Sequence, residues 1–199
     1  MRSLWMIWTM GSVLAVTMIF THSAAQEQKK WTVGPYSFSD EMGGFSIRSV
    51  SGTGTTEDPI VITEELNDIV PVTLVIRNAG VGKPGFVPQG FGLLFHLQIR
   101  AINGSGRPWQ EFFFELQSVL GEPSDYSDGL SFCQPCDKTG MIHSNLFAAY
   151  EDNPEPYDRL TFQDGKVDPK ANAIMDFPIG DFTPKRIFYL VQEPRIPST

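Results

Sequence analysis

The stretch Phe95-His-Leu-Gln-Ile-Arg-Ala101-Ile-Asn-Gly-Ser-Gly-Arg-Pro108-Trp-Gln-Glu-Phe112-Phe-Phe-Glu-Leu-Gln117 decides the fold class. In its first half Phe95, Leu97, Ile99 and Ala101 alternate with His96, Gln98 and Arg100. In its second half Phe112, Phe114 and Leu116 alternate with Glu111, Glu115 and Gln117. A period of two is the signature of a strand with one buried face, because successive side chains point to opposite sides of a sheet. The segment between them, Asn103-Gly-Ser-Gly-Arg-Pro108, is rich in turn formers. It predicts an antiparallel hairpin whose two apolar rows meet at the centre of a core.

The same alternation extends outward. Pro71-Val-Thr-Leu-Val-Ile-Arg-Asn78 sets Val72, Leu74 and Ile76 on one face and Thr73 and Arg77 on the other. Weaker strand signals cover Trp31–Tyr36, Gly44–Val50, Pro59–Thr63, Arg159–Phe162, Ala171–Ile179 and Arg186–Gln192. No window shows a capped 3.6-residue period. With 18 glycines and 15 prolines the chain is punctuated by turns and hostile to long helices. About nine strands, each with a wet and a dry face, predict an all-β antiparallel sandwich, Ig-like or jelly-roll-like, with a β-barrel as the competing architecture. There is no repeat and no long linker, so one domain is expected over residues 26–199. The segment Ser144-Asn-Leu-Phe-Ala-Ala-Tyr150 admits two readings, a short helical turn capped by Ser144 or an irregular strand.

Composition narrows the setting. The chain has 199 residues, 41% hydrophobic, and its 15 phenylalanines exclude an acidic disordered tail. Met1-Arg2-Ser3, then an uncharged run from Leu4 to Phe20, then Thr21-His-Ser-Ala-Ala25, is the pattern of a secretory signal peptide cut after Ala25. The alternative, a retained anchor, has only those 17 uncharged residues, at the lower limit of roughly 17–25 for a spanning helix. Cleavage removes Arg2 and no acid, leaving 14 positive and 23 negative charges, a formal −9 on 174 residues. An exported, periplasmic or secreted protein of that sign, without a basic stripe, is expected to bind neither nucleic acid nor membranes once the signal is gone.

The polar residues give weaker signals. Cys133-Gln-Pro-Cys136 in an exported chain reads as a small structural disulfide; the sharper reading is a thiol–disulfide redox pair, which wants a helix N-terminus that this loop lacks. Cys133, Cys136 and His143 would give a metal only three ligands. His96 lies on the polar face of a strand, where a solvated or hydrogen-bonded ring is ordinary. There is no Gly-x-Ser-x-Gly elbow, no His-Glu-x-x-His helix, no phosphate loop and no dinucleotide fingerprint, and the balance leans against an enzyme. Acids concentrate in turn-rich segments, with Asp125, Asp128 and Asp137 around the cysteines and Asp158, Asp164 and Asp168 further on. Calcium takes six to eight oxygens from such loops, so Asp125, Asp128, Asp158, Asp164 and Asp168 are candidate ligands of a calcium- or other metal-stabilised domain, against the plainer reading of a solvated acidic surface. Asn103-Gly-Ser105 is an N-glycosylation sequon at the tip of the expected hairpin, of consequence only in a eukaryotic source.

Several motifs carry a loose resemblance. Trp109-x-x-Phe112-x-x-Glu115-Leu116, Asp128-Gly-Leu-Ser-Phe132, Asp158-Arg-Leu-x-Phe162-x-x-Gly165-x-Val167 and Tyr189-Leu-Val-Gln192 resemble exported bacterial β-sandwich domains found as ectodomains of surface-sorted proteins. The resemblance spans residues 103–194 and implies the sandwich and the bacterial compartment; it implies no activity. The terminal Pro194-Arg-Ile-Pro-Ser-Thr199 departs from that group's sorting tail. The functional expectation is therefore a non-catalytic binding or structural module for a protein or small-ligand partner. Its contact surface is expected on loops bearing Phe86, Phe91, Tyr126 and the Cys133–Cys136 clamp, because recognition usually sits on loops over a rigid scaffold. The alternative for those rings is that they fold back over the open ends of the core.

Overall fold

A computed structural model describes residues 30–81, 93–134, 136 and 138–196 of the chain. Within them the protein is all-β, with no helix: β1 (Trp31–Val33), β2 (Tyr36–Ser39), β3 (Phe45–Ser51), β4 (Ile60–Leu66), β5 (Val72–Asn78), β6 (Leu93–Asn103), β7 (Glu111–Gln117), β8 (Leu130–Ser131), β9 (His143–Ser144), β10 (Phe147–Asn153), β11 (Arg159–Gly165), β12 (Asn172–Asp181) and β13 (Ile187–Arg195). Seven strands form one sheet in the order β1-β2-β5-β13-β7-β11-β10. The second sheet runs β3-β4-β6-β12-β8, with β9 also paired to β12. Neither sheet closes on itself, so the fold is a sandwich and not a barrel. All pairings are antiparallel except β4 with β6.

The inward rows are those the alternation predicts. Val72, Leu74 and Ile76 of β5, Phe95, Leu97, Ile99 and Ala101 of β6, and Phe112, Phe114 and Leu116 of β7 are all buried. Aromatic rings link the two sheets: Phe114 of β7 lies 4.7 Å from Phe177 of β12 and 6.1 Å from Phe162 of β11, and Phe177 in turn lies 5.5 Å from Phe132.

Two expectations are corrected, and the open reading of Ser144–Tyr150 is decided for strand. The described residues contain thirteen strands, not about nine: β8 and β9 are two residues each and too short to show a period, β10 has no apolar row, and Trp31–Tyr36 is divided by a turn at residues 34–35 between β1 and β2. Ser144–Tyr150 contains no helical turn; Ser144 ends β9 and Phe147 begins β10, an edge strand paired only with β11. Most notably, β6 and β7 are not a hairpin. β6 pairs with β4 and β12, whereas β7 pairs with β11 and β13 in the other sheet. Residues 104–110 form an arch that carries the chain across the core, so the two apolar rows lie in opposite sheets instead of side by side.

Asn103 builds that arch. It is fully buried, and its side-chain amide donates to the carbonyls of Arg107 at 2.7 Å and Val167 at 2.9 Å. Its Oδ1 accepts from the amide and hydroxyl of Ser105, and the Ser105 Oγ accepts from Trp109 Nε1 at 3.1 Å. The sequon nitrogen is thus spent inside the fold, and not displayed on a hairpin tip. Alanine removes both amide bonds at about 1 kcal/mol each, or about 2 kcal/mol, while the Val167 carbonyl keeps the Trp109 amide and the Arg107 carbonyl keeps the Ser105 hydroxyl. Asn103→Ala is therefore expected to lower the urea-unfolding free energy by that amount; a change under about 0.5 kcal/mol, the size of an ordinary surface substitution, would refute the role given to this side chain.

The two prolines inside strands obey the rule that proline avoids a fully paired ladder. Pro178 of β12 lies between the stretch paired with β9 (Met175 and Asp176) and the stretch paired with β8 (Gly180 and Asp181). Pro194 of β13 lies beyond Gln192, where pairing with β5 ends.

Candidate functional site

The end of the sandwich where β7 stops, β8 begins and β12 stops carries an unusual load of buried charge. After β7 the chain turns back so that the Ser124 amide donates to the Leu116 carbonyl and the Asp158 amide donates to the Ser124 carbonyl. Asp128 stands inside this loop. Its carboxylate accepts from the Ser118 hydroxyl at 2.6 Å, the Ser124 hydroxyl at 2.6–2.7 Å and the Leu130 amide at 3.0 Å. Asp181, the last residue of β12, is buried and accepts from the amides of Thr183 and Lys185. Burial holds its carboxyl above the usual range, partly offset by those two amides.

Asp158, just ahead of β11, differs from both. It is 1% exposed, and neither carboxylate oxygen has a hydrogen-bond partner. Burial first, then the neighbouring Asp128 and Asp152, push its carboxyl up to about 7, while Lys138 pulls the other way. Lys138 is itself paired with Asp152.

A cavity of about 220 Å³ opens here, lined by Tyr126, Leu130, Gln134, Asp158, Phe182 and Thr183 among others. Tyr126 and Phe182 are large rings left 72% and 59% exposed. The loop crossing holds the walls together: the Phe182 amide donates to the Gly129 carbonyl and the Thr183 hydroxyl to the Asp128 carbonyl. The backbone amide and carbonyl of Asp158 are both used inward, toward Ser124 and Leu116, so its side chain is the polar group it has left to offer. The arrangement suits a small cationic or hydrogen-bonding group stacked against aromatic walls.

Of the five acids singled out as metal ligands, the fold gathers only Asp125, Asp128 and Asp158 toward this end. Asp125 lies in an exposed turn, where its carboxylate accepts from the Ser127 hydroxyl and amide and is held below its ordinary range mainly by the hydroxyl. Asp164 sits at the far end of β11 from Asp158, roughly 20 Å away at the rise of a strand, and Asp168 is paired with Lys166 on the surface. Among the described residues no three His, Cys, Asp or Glu side chains are placed to hold a metal ion. Phe86, Phe91 and Asp137 lie outside the described residues. Sequence reasoning named Tyr126 but missed Phe182 and Asp181, whose only signal was their position just past the last alternating residues of β12.

Cys133 and Cys136 are joined in a disulfide, with Cα atoms 5.4 Å apart. Cys133 is buried beside Phe132, and Gln134 within the small loop lines the cavity. A loop this short contributes only about 2 kcal/mol through unfolded-state entropy, so it acts as a local clamp on one wall.

A second polar cluster lies on the six-stranded sheet. β12 brings together His96 and His143: Thr56 Oγ1 lies 2.9 Å from His96 Nε2, and Asp176 takes Gln98 at 2.8 Å on Oδ1 and His143 at 3.4 Å on Oδ2. Burial lowers the His96 pKa. The Thr56–His96 contact has the spacing of a nucleophile and base, yet the two oxygens of Asp176 are engaged by other residues, so it does not orient His96 as a third member. The space beside it is only about 50 Å³.

No known family model, curated protein or solved structure matches this chain.

Proposed function

We propose that the protein is an exported, non-catalytic binding module that takes its ligand in the cavity walled by Tyr126 and Phe182. The observation that carries this reading is the cavity itself: two exposed aromatic rings and a buried carboxylate with no internal partner, on loops held by a rigid sandwich. Large exposed rings are costly on an ordinary surface and are enriched where proteins bind. The signal-like residues 1–25 and the acidic mature chain support export, as does the resemblance of residues 103–194 to bacterial ectodomains.

Two measurements test the reading. Chain recovered from a bacterial periplasm or culture medium is expected to begin at Gln26; recovery of the uncut chain in the cytoplasm would contradict export. Titration of residues 26–199 with a mixed fragment set, followed by amide NMR, is expected to shift signals of residues 126–131, 158 and 182–183 together. Fragments that shift only signals elsewhere, or none at all, would remove this cavity as the site.

A further inference from the structure

We infer that the group this cavity takes is a guanidinium, presented as an arginine side chain by a peptide or protein partner and held on the Asp158 carboxylate, with the rings of Tyr126 and Phe182 beside it. The inference rests on the binding reading above and names its ligand class.

The Asp158 carboxylate holds unspent hydrogen-bonding capacity. Among the described residues, Asp158 is the only acid with both carboxylate oxygens buried and unpartnered. Such a group is expensive to bury, and native proteins rarely leave one without a purpose. The neighbouring acids are not in the same state. Asp128 has three donors, Asp181 has two backbone amides, and Asp152 has Lys138. What is missing at Asp158 is thus a donor for two adjacent oxygens. A guanidinium supplies two parallel N–H groups in one plane, whereas an ammonium is a compact, more strongly hydrated point charge.

The walls and the size point the same way. Guanidinium groups stack on aromatic faces, and Tyr126 and Phe182 stand exposed at the cavity. Calcium would want six to eight oxygens in place of those rings. About 220 Å³ is below the 300–1,000 Å³ typical of drug-sized ligands, and matches one long side chain better than a cofactor. The formal −9 of the mature chain favours a basic partner.

The protein already uses this chemistry on its own arginines. The Arg159 guanidinium donates to Glu115 Oε2 at 2.8 Å and lies 4.9 Å from the centre of the Tyr157 ring. Arg195 pairs with Glu193 and lies 3.9 Å from the centre of Phe113. The Asp158 cavity sets a carboxylate and two exposed rings in the same neighbourhood.

The test uses residues 26–199 and four probes read by amide NMR at Tyr126, Phe182 and Asp158: N-acetyl-arginine amide, its citrulline isostere, N-acetyl-lysine amide and calcium chloride. A nine-residue peptide with a central arginine is the fifth. The arginine probe is expected to bind, and the peptide more tightly than the free amide. The citrulline isostere and calcium should leave these signals unmoved, and the lysine probe should bind at least tenfold more weakly. Asp158→Asn keeps the side-chain shape and removes the charge; it should weaken arginine binding about 10- to 100-fold while its melting midpoint stays at or above that of the parent. Binding should also strengthen from pH 6 to pH 8 as Asp158 ionises, with Asp128, Asp152, Glu155 and Lys138 acting on the same carboxyl.

Equal binding by Asp158→Asn, a flat pH profile, or equal binding by citrulline or lysine would overturn the inference. A calcium-induced shift of the same signals would replace the organic cation with a metal. Binding of the free amide as tight as the peptide would remove the peptide partner. If neutral fragments move the cavity signals and no arginine probe does, the inference falls and the binding reading stands; if neither set moves them, both fall.

Discussion

Replacing Glu64 with glutamine is expected to stabilise the protein, by an amount that grows with pH. Glu64 belongs to the inward row Ile60, Ile62, Glu64 and Leu66 of β4, all fully buried. Across the core its Oε2 accepts from Gln192 Nε2 of β13 at 3.1 Å, while Glu64 Oε1 and Gln192 Oε1 have no partner. The pair has more acceptors than donors, and a proton on Glu64 supplies one more donor. Burial accordingly raises the carboxyl from 4.5 to about 8, against the opposing pull of the Gln192 bond. The folded state therefore keeps this proton up to about pH 8, whereas the unfolded chain releases it near 4.5. The stability it supports is fully present below 4.5 and is lost as pH rises through that window. Across that window, at 1.36 kcal/mol per pH unit, the loss is about 5 kcal/mol. Glu64→Gln keeps the shape and never ionises. Urea unfolding should show the variant near the parent at pH 4.5 and roughly 5 kcal/mol above it at pH 8.5. Asp158 titrates in both proteins, so its contribution cancels in the difference. Two parallel stability–pH curves would show that Glu64 is not held neutral by burial.

Phe114→Ala is expected to cost the protein about 4 kcal/mol, within the range for emptying a buried aromatic site. Phe114 is fully buried and its ring neighbours Phe112, Phe162 and Phe177, so it touches its own strand, the next strand and the opposite sheet. Little else can move in to fill the space, because Phe177 is already held on its other side by Phe132. Phe114→Leu, which retains most of the apolar volume, should lose clearly less. If alanine cost under about 1.5 kcal/mol, as a well-tolerated core swap does, the two sheets would not be joined through this ring.

What the sequence makes legible, and what it hides, follow from the same alternation. A period of two says which side chains face the core, and every residue of the Phe95 and Phe112 rows is indeed buried. It does not say which sheet a strand joins. An arch and a hairpin both bring two inward rows to one core, so residues 95–117 carry no alternation signal that separates them. What separates them is Asn103, whose amide is consumed by two carbonyls, one of them 64 residues away. Local reading sees only a sequon. β10 is hidden for another reason: its Ala-Ala-Tyr-Glu-Asp is an edge strand, exposed or half-exposed beyond Phe147, with no apolar row to reveal it. At the candidate site Asp128 and Asp158 look alike in sequence. Their difference, three donors against none, comes from Ser118 and Ser124 closing on one of them and not the other. Glu64 was marked only by its place between Ile62 and Leu66, a charged residue in phase with an inward row.

The sheet order has a consequence for how the protein comes into being. The last two strands of the chain are central ones: β12 lies between β6 and the pair β8 and β9, and β13 lies between β5 and β7. Until β13 is added, β1-β2-β5 and β7-β11-β10 are separate ribbons with open edges. Neither sheet has a complete interior while the chain is being synthesised: β1–β2, β3–β4 and β10–β11 pair locally, but β5, β6, β7, β8, β9, β12 and β13 find all their neighbours far away in sequence. Such topologies fold slowly, since loop-closure entropy comes before the contacts that offset it. The seven-stranded sheet is joined into one only by β13, so its two local ribbons close over a shared core at the end of synthesis.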